Sequence, residues 1–240
     1  MIRDYAKEAE CRVKWIKGLL AGAGAGGIVF GSSGGKDAAL TGILSKMACV
    51  QTLGVIMPCE SKRNFAEDKN DALLLAQRFD IEHIVVDLTS TKKELLSAID
   101  MPLGAASNMN IAPRLRMSAL YAIAAERGAL VAGTGNRSEG YMGYFTKWGD
   151  GAYDFNPIAD LTVTEIFEFL KHLGVPEVFY TKAPSAGLFE GQTDEAEMGV
   201  SYKEIDEFLL EGKIGPNFEK IERMHRISEH KRLPVKRFSF

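Results

Sequence analysis

The chain has 240 residues, 46% of them hydrophobic, enough for one sizeable core, and a formal net charge of −3. That balance excludes a general attraction to nucleic acid or to an anionic membrane, so any anion site has to be built locally. The three cysteines, Cys11, Cys49 and Cys59, form no CxxC pair and are odd in number, which suggests neither a disulfide framework nor a zinc site and fits a reducing compartment.

The N-terminal stretch carries Tyr5, Ala9, Val13, Ile16 and Leu20 at helical spacing and predicts an amphipathic helix over 2–20 that packs on the domain or on a second subunit. It is charged, unlike a signal peptide, and the uncharged span 18–35 is too rich in glycine for a membrane helix, so the protein reads as cytoplasmic. AGAGAGG (21–27) reads as a flexible connector. Its glycines precede a strand instead of following one, unlike a dinucleotide fingerprint.

Residues 28–31 (IVFG) predict a short buried strand, and GSSGGKD follows it at the start of a helix over about 37–47. Gly34 and Gly35 allow backbone N–H groups to converge on an anion at a helix N-terminus, and the hydroxyls of Ser32 and Ser33 add donors. A Walker A loop is excluded, because Phe30 stands where it needs Gly and Asp37 where it needs Ser or Thr. A carboxylate in a phosphate cradle repels its ligand unless a divalent cation lies between them, which makes Asp37 a candidate Mg2+ ligand. The alternative is a glycine turn capped by Asp37.

Strands are expected at 52–59 and 81–88, and helices at 61–79 and 91–99. Strands alternating with helices predict an α/β fold, a doubly wound parallel sheet flanked by helices in a single domain, with ligands beyond the carboxyl ends of the strands. The loops after 31, 59, 88 and 133 become the places to look. Residues 100–110 read as a loop and 112–128 as a long helix. Arg114 and Arg116 in its first turn oppose the helix dipole, so either a bound anion relieves them or they are solvated. Two positions apart, they point in different directions.

ALVAG (129–133) is the next buried strand. The polar loop after it offers Thr134, Glu139, Lys147, Asp150 and Asp154 among glycines and aromatics. Glu139 either shares a cation with Asp37 or faces solvent, as does Lys147. A helix is expected over 164–173, stopped by Gly174-Val175-Pro176, then an irregular acidic loop over 184–199 of lid-like length. Ser201 with Glu204 predicts a capping box for a helix over 202–210, and a helix over 216–229 precedes the basic tail. In that tail His230, Lys231 and Arg232 either close over an anionic substrate or form a solvated face.

GSSGGKD resembles the SGGxD loop of the ATP pyrophosphatases, which holds the pyrophosphate released when ATP adenylates a substrate. With RLRM, GTGNRSE, GYFTKWGDGAYD, KAPSAGL, QTDE and HKR-LP in the same order, the chain resembles an ammonia-dependent NAD synthetase over nearly its whole length. The resemblance implies an adenine-nucleotide alpha-hydrolase-like sheet and a cytoplasmic homodimer with deamido-NAD at the subunit interface. It also implies adenylation of the nicotinate carboxylate by ATP, with Mg2+, followed by attack of ammonia. Gly31, Ser32, Ser33, Gly34, Gly35, Lys36, Asp37, Ala38, Thr134 and Ser185 are then the ATP positions. Asp37 and Glu139 are the metal-binding and catalytic positions, and Arg114, Lys147, Asp154, His230 and Lys231 match those that hold deamido-NAD.

Three departures accompany the resemblance. Val163 stands where the family usually has an ATP-contacting Lys, Ala112-Pro113 replaces a Lys-Ala, and Ala38 replaces a Ser. Lys36, at the variable position of SGGxD, is placed to compensate for one lost charge. No glutaminase domain is expected, so ammonia arrives free or from a separate protein. The competing readings are another ATP-pyrophosphatase amidotransferase and a nucleotide-binding regulatory protein without turnover.

Overall fold

The computed structural model describes residues 3–60, 67–181 and 193–238. Its centre is a four-stranded, all-parallel sheet in the order β3-β2-β1-β4. The strands are β1 (Gly27–Gly31), β2 (Thr52–Ile56), β3 (Glu82–Val85) and β4 (Ala129–Ala132). β1 is buried on both faces, and its side chains alternate between two cores. Ile28 and Phe30 join one with α1 (Tyr5–Ala23), α2 (Lys36–Ala48) and α8 (Val163–His172), whereas Val29 joins a second with Leu53, Val55 and α6 (Ile111–Arg127). Helices thus cover both faces, which is why the strand reads as an unbroken apolar run and not as an alternating one. Burying Phe30, fully inaccessible, is worth about 1.5–3 kcal/mol.

The chain winds from β1 through β2 to β3 on one side and then crosses to add β4 on the other side of β1. The switch point therefore lies between β1 and β4, whose carboxyl ends open a crevice flanked by the GSSGGKD turn and the 133–136 loop. The outer edge of β4 is covered by the segment around Phe155, through Gly133 N–H to Phe155 O (2.8 Å) and Asp154 N–H to Val131 O (2.9 Å).

Several segments differ from the sequence reading. α1 runs on to Ala23 and is capped by Gly24, so the first three residues of the glycine connector are helix. α1 packs on the domain itself, with Ile16 fully buried and Arg12 donating to Asp160 at 2.6 and 2.8 Å. Of the helix expected over 61–79, α3 (Lys69–Arg78) is present and 61–66 lie outside the described residues; the helix expected over 91–99 is α4 (Thr89–Ala98). The 100–110 loop contains α5 (Ala105–Met109), and the polar loop after β4 opens with α7 (Arg137–Met142). Both are too short for hydrophobic periodicity to reveal.

Val178–Thr181 forms α9, residues 182–192 of the expected lid lie outside the described residues, and Asp194–Met198 is helical as α10. The remaining elements are α11 (Tyr202–Glu211), α12 (Phe218–Ile227) and α13 (Glu229–Arg232). Ser201 caps α11, but the Glu204 carboxylate serves Asn217 instead of closing the box. Val200, Tyr202, Ile205 and Ile221 form a third core with Met142 and Val163, so the C-terminal helices brace α7. No helix among the described residues is long and apolar enough to cross a membrane.

Candidate active site

The turn after β1 is fixed by its backbone. Ser32 N–H donates to Val55 O at 2.9 Å, and Gly35 N–H donates to Ser33 Oγ at 3.3 Å. Gly34 has φ +77°, and a Cβ there would lie 2.3 Å from the Asp68 carbonyl oxygen, so both conformation and space demand glycine. The N-cap of α2 is Gly35, which brings no side-chain cap. The positive end of a 13-residue helix therefore faces the crevice.

Across the crevice, α7 begins with a capping box. Asn136 Oδ1 accepts from Glu139 N–H at 2.9 Å, and Glu139 Oε2 accepts from Asn136 N–H at 3.0 Å. Asn136 Nδ2 donates to Asp37 Oδ1 at 3.1 Å. One buried residue thus joins the two carboxylates that the sequence singles out, Asp37 through its side-chain amide and Glu139 through its backbone N–H, and sequence reading missed it. The only signal was its place in an N-x-x-E capping pattern, which speaks of a helix start and not of a link to α2.

Lys36, 6% exposed, donates its ammonium to Asp37 Oδ2 at 2.7 Å and lies 5.6 Å over the Tyr202 ring. Burial alone would pull its pKa down, but Asp37 and Glu139, with Asp194, more than reverse this and hold it above the ordinary lysine value. Glu139 is pushed well above the usual carboxylate range by burial and then by the negative charge of Asp37, against the pull of Lys36. Asp194 accepts from the Tyr202 hydroxyl at 3.0 Å, and burial with the carboxylates of Glu139, Asp194 and Asp37 drives that phenol far above its ordinary value.

Residues 31–38, Thr134, Glu139 and Lys231 line a single cavity of about 700 Å³. That volume suits a nucleotide-sized ligand. Lys231 donates to the carbonyls of Gly143 and Phe145, each at 2.7 Å, and so ties the loop after α7 over the cavity. Asp150 opens onto the same space with Oδ1 accepting from Thr146 N–H at 3.0 Å. Arg114 and Arg116 diverge as their spacing requires. Arg116 lines the cavity and donates to Met57 O at 3.0 Å, while Arg114 is exposed at the rim and donates to the carbonyls of Asn110 and Lys147.

Arg114, Lys147 and His230 form a chain of contacts outside the residues that line the cavity, because the Lys147 ammonium donates in turn to the His230 carbonyl. Asp154 is not brought into the cavity. It caps the β4 edge, with Oδ2 accepting from Val131 N–H at 2.7 Å and Oδ1 from the Tyr121 hydroxyl at 3.2 Å. Ser185 lies outside the described residues.

A family model described as NAD synthase matches residues 8–238. The chain belongs to the NAD synthase family. It is 45% identical over 235 residues to the NH(3)-dependent NAD(+) synthetase of Carboxydothermus hydrogenoformans, with 95% of this chain and 96% of that one covered. Among solved structures, the NMN synthetase from Francisella tularensis matches with a TM-score of 0.94 and 36% identity, each chain covered in full. The NH3-dependent NAD synthetase from Campylobacter jejuni matches at 0.81 and 28%, covering 99% of this chain and 100% of that one.

Seen as a NAD synthase, the chain handles its departures by packing. Val163, where the sequence resemblance predicts a lysine, is 2% exposed in the third core and donates its N–H to Ser138 Oγ. A long cationic side chain following that direction would enter the core, so the substitution is matched to its surroundings. Ala112 and Pro113 are likewise buried, the latter against the cavity.

Proposed function

We propose that the chain is a C–N ligase that uses ATP and ammonia to convert the nicotinate carboxylate of deamido-NAD into the amide of NAD, releasing AMP and pyrophosphate. The observation that carries this reading is the convergence, on one cavity, of an uncapped helix N-terminus and two carboxylates tied together by Asn136. In the first step a carboxylate oxygen of the substrate attacks the α-phosphorus of ATP and the bond to the β-phosphate bridging oxygen breaks. The N–H groups of the 32–36 turn face the charge that collects on the pyrophosphate. In the second step ammonia attacks the acyl carbon, AMP leaves with the carboxylate oxygen, and the proton lost by nitrogen passes to solvent or a phosphate.

The donor set fits Mg2+. Asp37 and Glu139 offer hard oxygen ligands, and a dication would offset both the burial and the Asp37 charge that raise Glu139. Among the described residues no group of three or more His, Cys, Asp or Glu side chains is arranged to hold a metal. Asp37 and Glu139 would therefore hold the ion together with phosphate oxygens and water. When bound it supplies Lewis-acid stabilisation of the phosphate charge.

The homodimer and a dinucleotide lying across its interface belong to the same proposal. Its support is the contact chain of Arg114, Lys147 and His230, each next in sequence to a residue that lines the cavity, Pro113, Thr146 and Lys231, where a ligand too long for the cavity would emerge.

A second reading has an observation of its own. The 0.94 match to an NMN synthetase favours a mononucleotide substrate, which shares the reacting nicotinate and ribose phosphate and lacks the AMP half. The deciding experiment incubates the protein with ATP, Mg2+, ammonium and either deamido-NAD or nicotinate mononucleotide, and separates products by mass. NAD formed at the higher kcat/KM upholds the first reading, and NMN the second. Bound ATP with neither product identifies a nucleotide-binding protein without turnover.

A further inference from the structure

We propose that Lys36 is a resident counter-ion, a side chain that stands in for the divalent cation at Asp37 and keeps that cation out until nucleotide brings it. The inference rests on the reading of Asp37 and Glu139 as the metal-holding pair.

The position of Lys36 runs against each of its local preferences. A cation in the first turn of a helix faces the positive end of the dipole, and an ammonium removed from water loses its hydration. Lys36 is nonetheless 6% exposed, at the first residue of α2. What holds it is Asp37 Oδ2 at 2.7 Å, with the Tyr202 ring as a roof at 5.6 Å. The other oxygen of Asp37 accepts from Asn136 Nδ2. Both oxygens are therefore engaged within the chain, one by a neutral donor and one by a positive charge.

A dication approaching Asp37 meets that ammonium on the same carboxylate, and two positive charges a few ångströms apart repel strongly in a poorly hydrated site. The metal alone has little to offer against this. A metal already carrying triphosphate does, since the phosphate charges outweigh the ammonium and attract it. Asn136 keeps Asp37 in place whichever cation is present, so removing Lys36 should open the metal site without dismantling it.

The test uses Mn2+ as probe on the full chain without nucleotide, following free Mn2+ by its paramagnetic resonance signal. Lys36→Met should tighten Mn2+ binding by about tenfold or more. Lys36→Gln should do the same, and serves if the methionine variant does not fold. Mn2+ alone should also raise the melting temperature of either variant more than that of the wild type, a gain no merely structural role predicts. Wild-type or weaker affinity in both variants, with Asp37→Asn still abolishing Mn2+ binding in the presence of ATP, overturns the counter-ion role and leaves the metal assignment standing. Mn2+ binding in the presence of ATP that is unchanged in Asp37→Asn overturns both.

Discussion

Asn136 and Asp37 are 99 residues apart in the chain, and their side chains are hydrogen-bonded at 3.1 Å. That single bond spans the crevice between β1 and β4. Because Asn136 also closes the capping box of Glu139, it sets the separation of the two carboxylates and places them on one cavity.

Asn136 should therefore be separable into two roles. Asn136→Ala removes both and should cost about 0.5–2 kcal/mol in stability as a lost helix cap. Asn136→Asp keeps the cap but sets a third negative charge against Asp37. Thermal melting should show the aspartate variant closer to wild type than the alanine, while AMP release falls in both, through kcat more than through KM.

Asp37→Asn and Glu139→Gln preserve shape and remove charge. Each should lower AMP and pyrophosphate formation by about a hundredfold or more, in the range seen when one transition-state electrostatic contact is lost. Circular dichroism should be unchanged. Wild-type turnover in either would refute the shared-cation assignment.

Gly34→Ala puts a methyl group against the Asp68 carbonyl and forces an L side chain to φ +77°. The strain should cost about 1–3 kcal/mol, and relief by movement of the turn would misalign its N–H groups. Isothermal titration should show ATP affinity falling while deamido-NAD affinity changes little.

Tyr121 gives a pH prediction. Burial and then the Asp154 carboxylate, to which it donates, push its hydroxyl up from 10.0 to about 12. The native state keeps this proton where the unfolded chain loses it. Its contribution is thus present in full below pH 10 and is lost as pH rises towards about 12. Denaturant titrations should show stability declining over that window, and the decline should be smaller in Tyr121→Phe.

Much of the site was legible in the sequence because it is local. A strand, a glycine turn and a helix start follow one another within residues 28–40, and hydrophobic runs with turn residues specify such a unit without help from distant parts of the chain. The parallel sheet followed in the same way, since strands alternating with helices admit few other arrangements. The acidic residue at position 37 stood out by simple electrostatics, and the structure pairs it with the Lys36 ammonium.

Contacts between distant segments were decided only by the tertiary structure. Periodicity cannot report that Asn136 reaches Asp37, that Lys36 folds back beneath Tyr202, or that Asp154 serves the β4 edge instead of the cavity. α7 is held by its Asn136–Glu139 capping box and by burial of Met142 in place of an apolar stripe, and α5 is five residues with none buried, so the sequences of both resemble loops. The charges of Lys36, Asp37 and Glu139 could be counted from the sequence. Which of them meet, and with what burial, depends on how β1 and β4 come together, and only the folded chain brings Asp37 and Glu139 onto one cavity with Asn136 between them.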